Sequence, residues 1–366
     1  MPKLRVGLLF GGRSTEHEVS VVSATNVLRA LDPARYAPVL IGIDHDGRWF
    51  VAESEAGILP EAVFSSQHAV EVAPSLSGGL ALLRARGEGS PLRAPLDIVF
   101  PIAHGRFGED GTLQGLLDLA GIAYVGGGVL ASAVGMDKVV QKRVLRDSGV
   151  PVVEWLDISR HEFELDPDGF AATVEDRFGY PVFAKPVNTG SSVGIHKARS
   201  REELVRALKD AGRYDLRVMV ERAVEARELE CSVLGGYRPE VSVVGEIIPS
   251  HEFYDYEAKY VSEDTRLVIP ARIPEAVSDR IREYAARAFR AIDCWGMARA
   301  DFFLDKRNGE LFLNELNTLP GMTEGSLYWR AWEASGIRLP ELVNRLIELG
   351  LERGREKAAL EIRYRR

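Results

Sequence analysis

The stretch LFLNELNTLPGMTEGSL, residues 311–327, constrains this chain more than any other. In a β-strand Leu311, Leu313, Glu315 and Asn317 share one parity, so the expectation is that their side chains leave one face together. The upstream GMARADFFL reads as a second strand, with Arg299 and Asp301 two residues apart on a face. DKRNG between them is turn chemistry, and Asn308-Gly309 is a hairpin signal. The hairpin gathers Asp301, Glu315 and Asn317 into an oxygen-rich cluster beside Arg299. Two carboxylates in an apolar sheet are costly without a counter-cation. Mg²⁺ suits them, because it takes oxygen ligands, keeps several waters and bridges carboxylates to phosphates. Any one of these acids is better read as an exposed charge on a solvated hairpin. The whole constellation, ended by the Pro320-Gly321 break, points to a metal site.

A length of 366 residues suits two or three domains with a buried core. The net charge of −8, with no basic block except the RYRR tail, argues against a nucleic-acid surface. Cys231 and Cys294 sit in apolar, strand-like contexts without metal-site spacing and read as reduced core residues. The N-terminus enters a strand without a signal-peptide apolar region, and no apolar run reaches the ~18 residues of a membrane span. The expectation is a cytoplasmic protein that engages no membrane.

Taken in order, LRVGLLF is a strand and GGRSTEHEVS a Gly-rich turn into a helix, with Thr15 and Glu18 as a capping box. That leaves Glu16 without a structural explanation; it is either a first-turn acid facing the helix dipole or a site residue at the first β–α turn. Residues 53–95 read as peripheral loops. LDIVFPI is a buried strand ending near His104, and a charged, Gly-rich loop then opens a helix near Thr112. The spacing of residues 126–149 predicts one helix with Lys138 midway, where it is either solvated or functional. YPVFAKPVNTGSSVGIHKA reads as two strands around a loop that can aim backbone N–H groups and the hydroxyls of Ser191 and Ser192 at an anion. Lys185 precedes that loop, but the strand–loop–helix order and GK[ST] ending of a P-loop are missing. Glu221 and Glu228 close and open successive strands and fit either ribose hydroxyls or plain edge charges. SHEFYDYEAKYVSEDT has the composition of an active-site lid.

In this order GGRSTEHEVS, HGRFGEDGTLQG, MDK, FAKPVNTGSSVG, EAKY, ARADFF and NELNTLPGMT resemble the D-alanine–D-alanine ligases of the ATP-grasp superfamily, over residues 4 to about 345. One departure is YWRAW after Leu327, where the family often carries a proline or apolar residue. The resemblance implies an α/β three-domain ATP-grasp fold: a Rossmann-like N-terminal domain (1–135), a central ATP-grasp subdomain (136–225) and a C-terminal one with metal cluster and lid (226–366). It implies that Lys138 and Lys185 bind ATP phosphates, with Ser191 and Ser192 in the phosphate loop and Glu221 and Glu228 holding the nucleotide. Asp301, Glu315 and Asn317 match the family's Mg²⁺ ligands; two ions are expected, and Mn²⁺ can substitute.

By the same resemblance Glu16 takes the ammonium of the first D-alanine with His104 near it, and Ser191 and Tyr260 link Glu16 to the lid. Lys259 reaches the γ-phosphate, Arg299 and the Gly321 amide form the oxyanion site, and Ser326 and Leu327 hold the carboxylate of the second D-alanine. The implied reaction is ATP-dependent synthesis of D-alanyl-D-alanine through an acyl phosphate, releasing ADP and phosphate, for peptidoglycan precursors, by a cytoplasmic homodimer. Alternatives are ligation to D-lactate or D-serine and a catalytically silent ATP-binding module; the intact Asp301 and Glu315 argue against silence. Lys259-Tyr260 favours D-alanine over D-lactate, since tyrosine is neutral near pH 7 and repels no ammonium nucleophile.

Overall fold

The computed structural model describes residues 2–53, 59–65, 70–75, 81–84, 95–248 and 266–361. The lid stretch, with His251, Lys259 and Tyr260, lies outside them. The first unit runs β1 (Leu4–Gly11), α1 (His17–Ala30), β2 (Tyr36–Ile43), β3 (Trp49–Glu53), β4 (Val70–Ser75), β5 (Ala81–Arg84) and β6 (Ile98–Pro101). β1 pairs parallel with both β2 and β6, which explains its nearly unbroken apolar run: a central parallel strand is covered on both faces. β3, β4 and β5 extend the β2 edge antiparallel. Residues 53–95 are therefore not only loop, as expected, but carry two strands of this sheet. Pro74 masked β4 in the sequence; it lies beyond the three residues that pair with β3.

Two helix expectations are corrected. α1 starts at His17 with Glu16 in the N-cap position, so Thr15 and Glu18 form no capping box; both are exposed, and Glu18 Oε1 lies 3.2 Å from His45. After α2 (Thr112–Ala120), the single helix expected over 126–149 divides into α3 (Val129–Met136) and α4 (Lys138–Asp147). Asp137 causes the break: its carboxylate caps α4 by accepting the amides of Val139 and Val140 at 3.1 and 2.9 Å. Lys138 thus opens a helix rather than sitting mid-helix.

The second unit comprises β7 (Trp155–Ser159), α5 (Arg160–Leu165), α6 (Pro167–Phe178), β8 (Val182–Pro186), β9 (His196–Ala198), α7 (Arg201–Ala211) and β10 (Arg217–Arg222). Its four strands form an antiparallel sheet in the order β7-β10-β8-β9. Capping by Ser159, Asp166 and Ser200 starts the three helices, and α6 and α7 bury Ala171, Val174, Leu204 and Leu208 against the sheet.

The third unit carries β11 (Ala226–Gly235), β12 (Glu240–Val241), β13 (Gly245–Ile248), β14 (Arg266–Val268), α8 (Glu275–Ala291), β15 (Gly296–Asp305) and β16 (Leu311–Asn317). Its path is β14-β13-β11-β15-β16, with β12 on β11. α9 (Leu327–Ala334) and α10 (Leu339–Ala358) follow, and α10 returns Leu342, Val343, Leu346 and Ile347 to the core of the first sheet.

The β15–β16 hairpin corrects the parity argument. Ala298, Ala300, Phe302 and Leu304 of β15 face the core with Leu311, Leu313 and Leu316, whereas Glu315 and Asn317 stand opposite Asp301 and Arg299. The register shifts between Asp301 and Phe302, leaving Asn314 as an extra residue. One inserted residue exchanges the faces of a strand. Leu313 and Glu315 share sequence parity and yet point to opposite sides.

β16 is a sheet edge, and its outward backbone groups need partners. The Pro151 carbonyl accepts the Leu313 N–H at 2.8 Å, and buried Gln141 of α4 serves Leu316: its amide accepts from the Leu316 N–H at 2.9 Å and donates to the Leu316 carbonyl at 3.0 Å and to the Gly135 carbonyl at 2.8 Å. Gln141→Leu leaves these buried groups unpaired at near-constant volume. The expected cost is about 2–4 kcal/mol, read by urea denaturation; a loss below about 0.5 kcal/mol would refute the anchoring role.

Candidate active site

Two adjoining cavities lie where the three units meet. One, of about 170 Å³, is lined by Glu16, His104, Arg299, Asn317, Gly321, Ser326 and Leu327. The other, of about 720 Å³, is lined by Lys185, Ser192, Glu221, Glu228 and Asp301, a volume in the range of small-molecule sites. Lys138, Ser191, Glu230 and Glu315 border both. Every candidate residue outside the lid stretch thus lines one cavity or the other.

Glu16 is buried at the entrance of α1, where its carboxylate leaves the helix end uncapped and instead accepts the Ser191 hydroxyl from the second unit. Glycines permit this approach. A Cβ on Gly190 would stand 2.6 Å from Glu16 Oε2, and one on Gly105, at φ +75, would stand 2.5 Å from the same oxygen. His104 is buried with Nε2 3.3 Å from Ser23 Oγ, which in turn accepts the Met322 amide at 3.1 Å. Burial lowers His104 to about 4, aided by Arg299 and opposed by a backbone hydrogen bond at Leu319, so it is neutral at pH 7. The segment before α9 is fixed by a 2.9 Å contact between the Thr323 and Ser326 hydroxyls and by Trp329 Nε1 donating to the Thr323 carbonyl at 2.7 Å. Trp329, in the unusual YWRAW run, therefore helps shape this wall.

In the larger cavity the loop between β8 and β9 places Ser191 and Ser192 at φ 47 and 59, left-handed conformations that turn its backbone inward. Asn188 anchors the loop, its amide and side chain both donating to Asp215 Oδ2, at 2.6 and 3.1 Å. Lys138 Nζ donates to the Thr189 carbonyl at 2.5 Å. Glu221 is committed on both oxygens, Oε1 to Lys142 at 2.6 Å and Oε2 to Lys185. Burial alone would raise its carboxyl; the two lysines overcome this and hold it at about 2.

On the hairpin, Arg299 donates from Nε and Nη2 to the two oxygens of Asp301 at 2.7 and 2.6 Å, and Nε lies 3.0 Å from Glu230. Asn317 Oδ1 accepts the Leu319 amide at 3.0 Å. Among the described residues no three His, Cys, Asp or Glu side chains form a metal cluster. The donor set is instead two carboxylates in cross-strand register and a nearby amide, which fits a hard cation that completes its shell with water and phosphate oxygens.

The family model described as D-ala D-ala ligase N-terminus matches residues 5–127, and the one described as D-ala D-ala ligase C-terminus matches residues 144–348. The chain belongs to the D-alanine–D-alanine ligase family. Curated relatives named D-alanine–D-alanine ligase are 44% identical in Acetivibrio thermocellus, with 96% of each chain covered, and 47% identical in Heliobacterium modesticaldum, with 98% of this chain and 97% of the relative covered. Among solved structures, the D-alanine-D-alanine ligase from Coxiella burnetii superposes with a TM-score of 0.87 at 37% identity, covering 98% of this chain and 97% of that one. A D-Ala:D-Ser ligase from Enterococcus faecalis superposes at 0.83 and 33% identity, covering 95% and 100%. The fold is that of the ATP-grasp ligases.

Three site residues escaped the sequence reading. Glu109 lines the smaller cavity; burial and the Glu16 charge raise it to about 8 although the Gly105 amide donates to it at 2.7 Å. Glu230 shares strand parity with Glu228, a usable signal, and Lys142 lies one helical turn beyond Lys138. Cys231 and Cys294 are buried free thiols, raised by burial.

The depressed His104 value has a measurable consequence. An unfolded histidine protonates near 6.5 and folded His104 near 4, so as pH falls through that window the unfolded chain gains a proton that the folded one refuses. Stability from this residue is present above 6.5 and declines by about 3 kcal/mol toward 4. The stability gap between wild type and His104→Gln should shift by about that amount, against wild type, between neutral pH and pH near 4 in urea titrations. A gap independent of pH would show His104 to be exposed or charged.

Proposed function

We propose that this chain uses ATP to join two D-alanines into D-alanyl-D-alanine through an acyl phosphate, supplying peptidoglycan synthesis. The observation that carries the reading is the shared border of the two cavities: a carboxylate pocket at Glu16 and a lysine-lined pocket meet at Lys138, Ser191 and Glu315, with Arg299 on the Glu16 side. A carboxylate is a poor electrophile, so its activation requires phosphoryl transfer, which depends on positioning and charge neutralisation. Glu16 takes the ammonium of the first D-alanine beside neutral His104. Lys138, Lys185 and the Ser191–Ser192 loop take the nucleotide's phosphates, and Glu228 takes its ribose. Glu221 acts on the nucleotide through the lysines that it binds.

Asp301, Glu315 and Asn317 would hold Mg²⁺, two ions by our reading with Mn²⁺ able to replace them, and bound metal would neutralise phosphate charge. Arg299 and the Gly321 amide donate to the oxyanion as the second amine attacks and phosphate leaves, while Ser326 and Leu327 receive the second carboxylate. Lys259 reaches the γ-phosphate and Tyr260, with Ser191, links Glu16 to a lid that keeps out the water which would otherwise hydrolyse the acyl phosphate. No described helix is long and apolar enough to cross a membrane. We place the enzyme in the cytoplasm as a homodimer without nucleic-acid partners, its domains dividing near residues 135 and 225.

Phosphate release with ATP, Mg²⁺ and D-alanine tests the reaction. Glu315→Gln should nearly abolish turnover with an unchanged far-UV spectrum, and turnover near wild type would return Glu315 to a solvated hairpin charge. Arg299→Met should cost about 10²–10³ in kcat, the usual loss for one oxyanion donor. Likeness to a D-Ala:D-Ser ligase keeps other acceptors in view. In competition between equal D-alanine and D-lactate at neutral pH, the dipeptide should predominate; mostly depsipeptide would overturn the acceptor assignment, as would preference for D-serine in a parallel assay.

A further inference from the structure

The cluster of Lys142, Glu221 and Lys185 holds more positive charge than its own carboxylate can balance. Lys142 is 2% exposed, Glu221 3% and Lys185 9%. Lys142 reaches this cluster from α4, one turn beyond Lys138, with the Trp155 ring centroid 6.0 Å from Nζ. Besides that ring it pairs with Glu221 at 2.6 Å, while the Lys185 charge opposes its own and the more distant Glu315 charge favours it. Lys185 comes from β8 and Glu221 from β10, neighbours in the second sheet, with Lys185 opposite Met219 in register. A structural ion pair needs one lysine for one carboxylate. Two lysines on Glu221 leave a net charge of about +1 in a desolvated setting, which is costly unless an anion arrives to meet it.

We infer that Lys142 is a positioning residue for the nucleotide's phosphates: by occupying Glu221 Oε1 it stops Glu221 from neutralising Lys185 on Oε2, and so keeps that lysine available to the anion. The inference rests on the ATP reading above. All three residues line the 720 Å³ cavity that also takes in Lys138 and the Ser191–Ser192 loop. Without Lys142, Glu221 and Lys185 close into a neutral pair, and one carboxylate oxygen is freed to repel phosphate. Glu221 stays ionised well into the acid range because both lysines face it. Burial lowers Lys142, and the Glu221 and Glu315 charges oppose that fall.

Charge counting gives a test that a merely structural role would not pass. Lys142→Met takes the cluster from a net +1 to neutral, and adding Glu221→Gln to that variant returns it to +1. By calorimetry Lys142→Met should bind ADP about tenfold or more weakly, with KM for ATP rising in parallel, while KM for D-alanine moves less than about twofold. Adenosine, which has no phosphates, should bind it as it binds wild type. The double variant Lys142→Met/Glu221→Gln should recover ADP binding to within about threefold of wild type. Should Lys142→Met not fold, Lys142→Gln carries the same expectations with the polar contact to Glu221 retained. ADP affinity unchanged in the single variant, ADP and adenosine weakened equally, or no recovery in the double variant would each overturn the assignment. Wild type that binds neither ATP nor ADP would instead sink the ATP reading itself.

Discussion

One extra residue in an edge strand decides where the charges of this protein stand. The β15–β16 hairpin has to fill a core with Ala300, Phe302, Leu311, Leu313 and Leu316 while presenting Arg299, Asp301, Glu315 and Asn317 to a cleft. Regular alternation from Leu313 would carry Glu315 into that core, where an unpaired carboxylate is prohibitive. The bulge at Asn314 reverses the faces between the two residues. A bulge weakens the ladder locally, and the outer edge of β16 is secured from elsewhere, by the Pro151 carbonyl on Leu313 and the Gln141 amide on Leu316. Gln141 lies between Lys138 and Lys142 on α4. The same helix that carries two cavity cations therefore also holds the strand that carries the cavity's acids.

The two cavities differ in sign for physical reasons. Around Glu16 the smaller one gathers Glu109, Glu230 and Glu315 against the single guanidinium of Arg299. Crowding of this kind cannot keep every carboxylate ionised, and Glu109, raised to about 8 by burial and by Glu16, is the group that yields. Carboxylates there outnumber the cations Arg299 and Lys138, and burial keeps His104 from adding a further positive charge. Around Lys138, Lys142 and Lys185 the balance is reversed, and Glu221 is driven to about 2. Acceptance of a cation on one side and an anion on the other is what activation of an amino acid by a nucleotide demands.

Much of this was legible from residues alone, and what was not has identifiable causes. The hairpin was readable from its turn and from the apolar run, and the loop at 187–195 from its glycines and serines. The faces of β16 were not, because a bulge leaves no mark on alternation until the partner strand is known. Asp137 as a cap could have been read from its type and place, but the apolar spacing on either side concealed it. Glu109, Lys142 and Glu230 acquire meaning only from neighbours distant in sequence: Glu221 is 79 positions from Lys142 in chain numbering, and only the fold sets them 2.6 Å apart.

The loop between β8 and β9 ties these halves into one device. Its Ser191 hydroxyl donates to Glu16, and its Thr189 carbonyl accepts from Lys138. Both partners are groups that a bound substrate would claim: an ammonium competes with the serine hydroxyl for the carboxylate, and a phosphate competes with the carbonyl for the lysine. Left-handed Ser191 and Ser192 cost backbone energy of order 1 kcal/mol each, and the Asn188–Asp215 anchor holds the loop in place nonetheless. Gly190 is what allows the close contact with Glu16: a Cβ there would meet both carboxylate oxygens, so a larger residue would strain the Ser191–Glu16 link. The two links leave the same loop two positions apart, at Thr189 and at Ser191, so one short backbone segment touches the walls of both cavities.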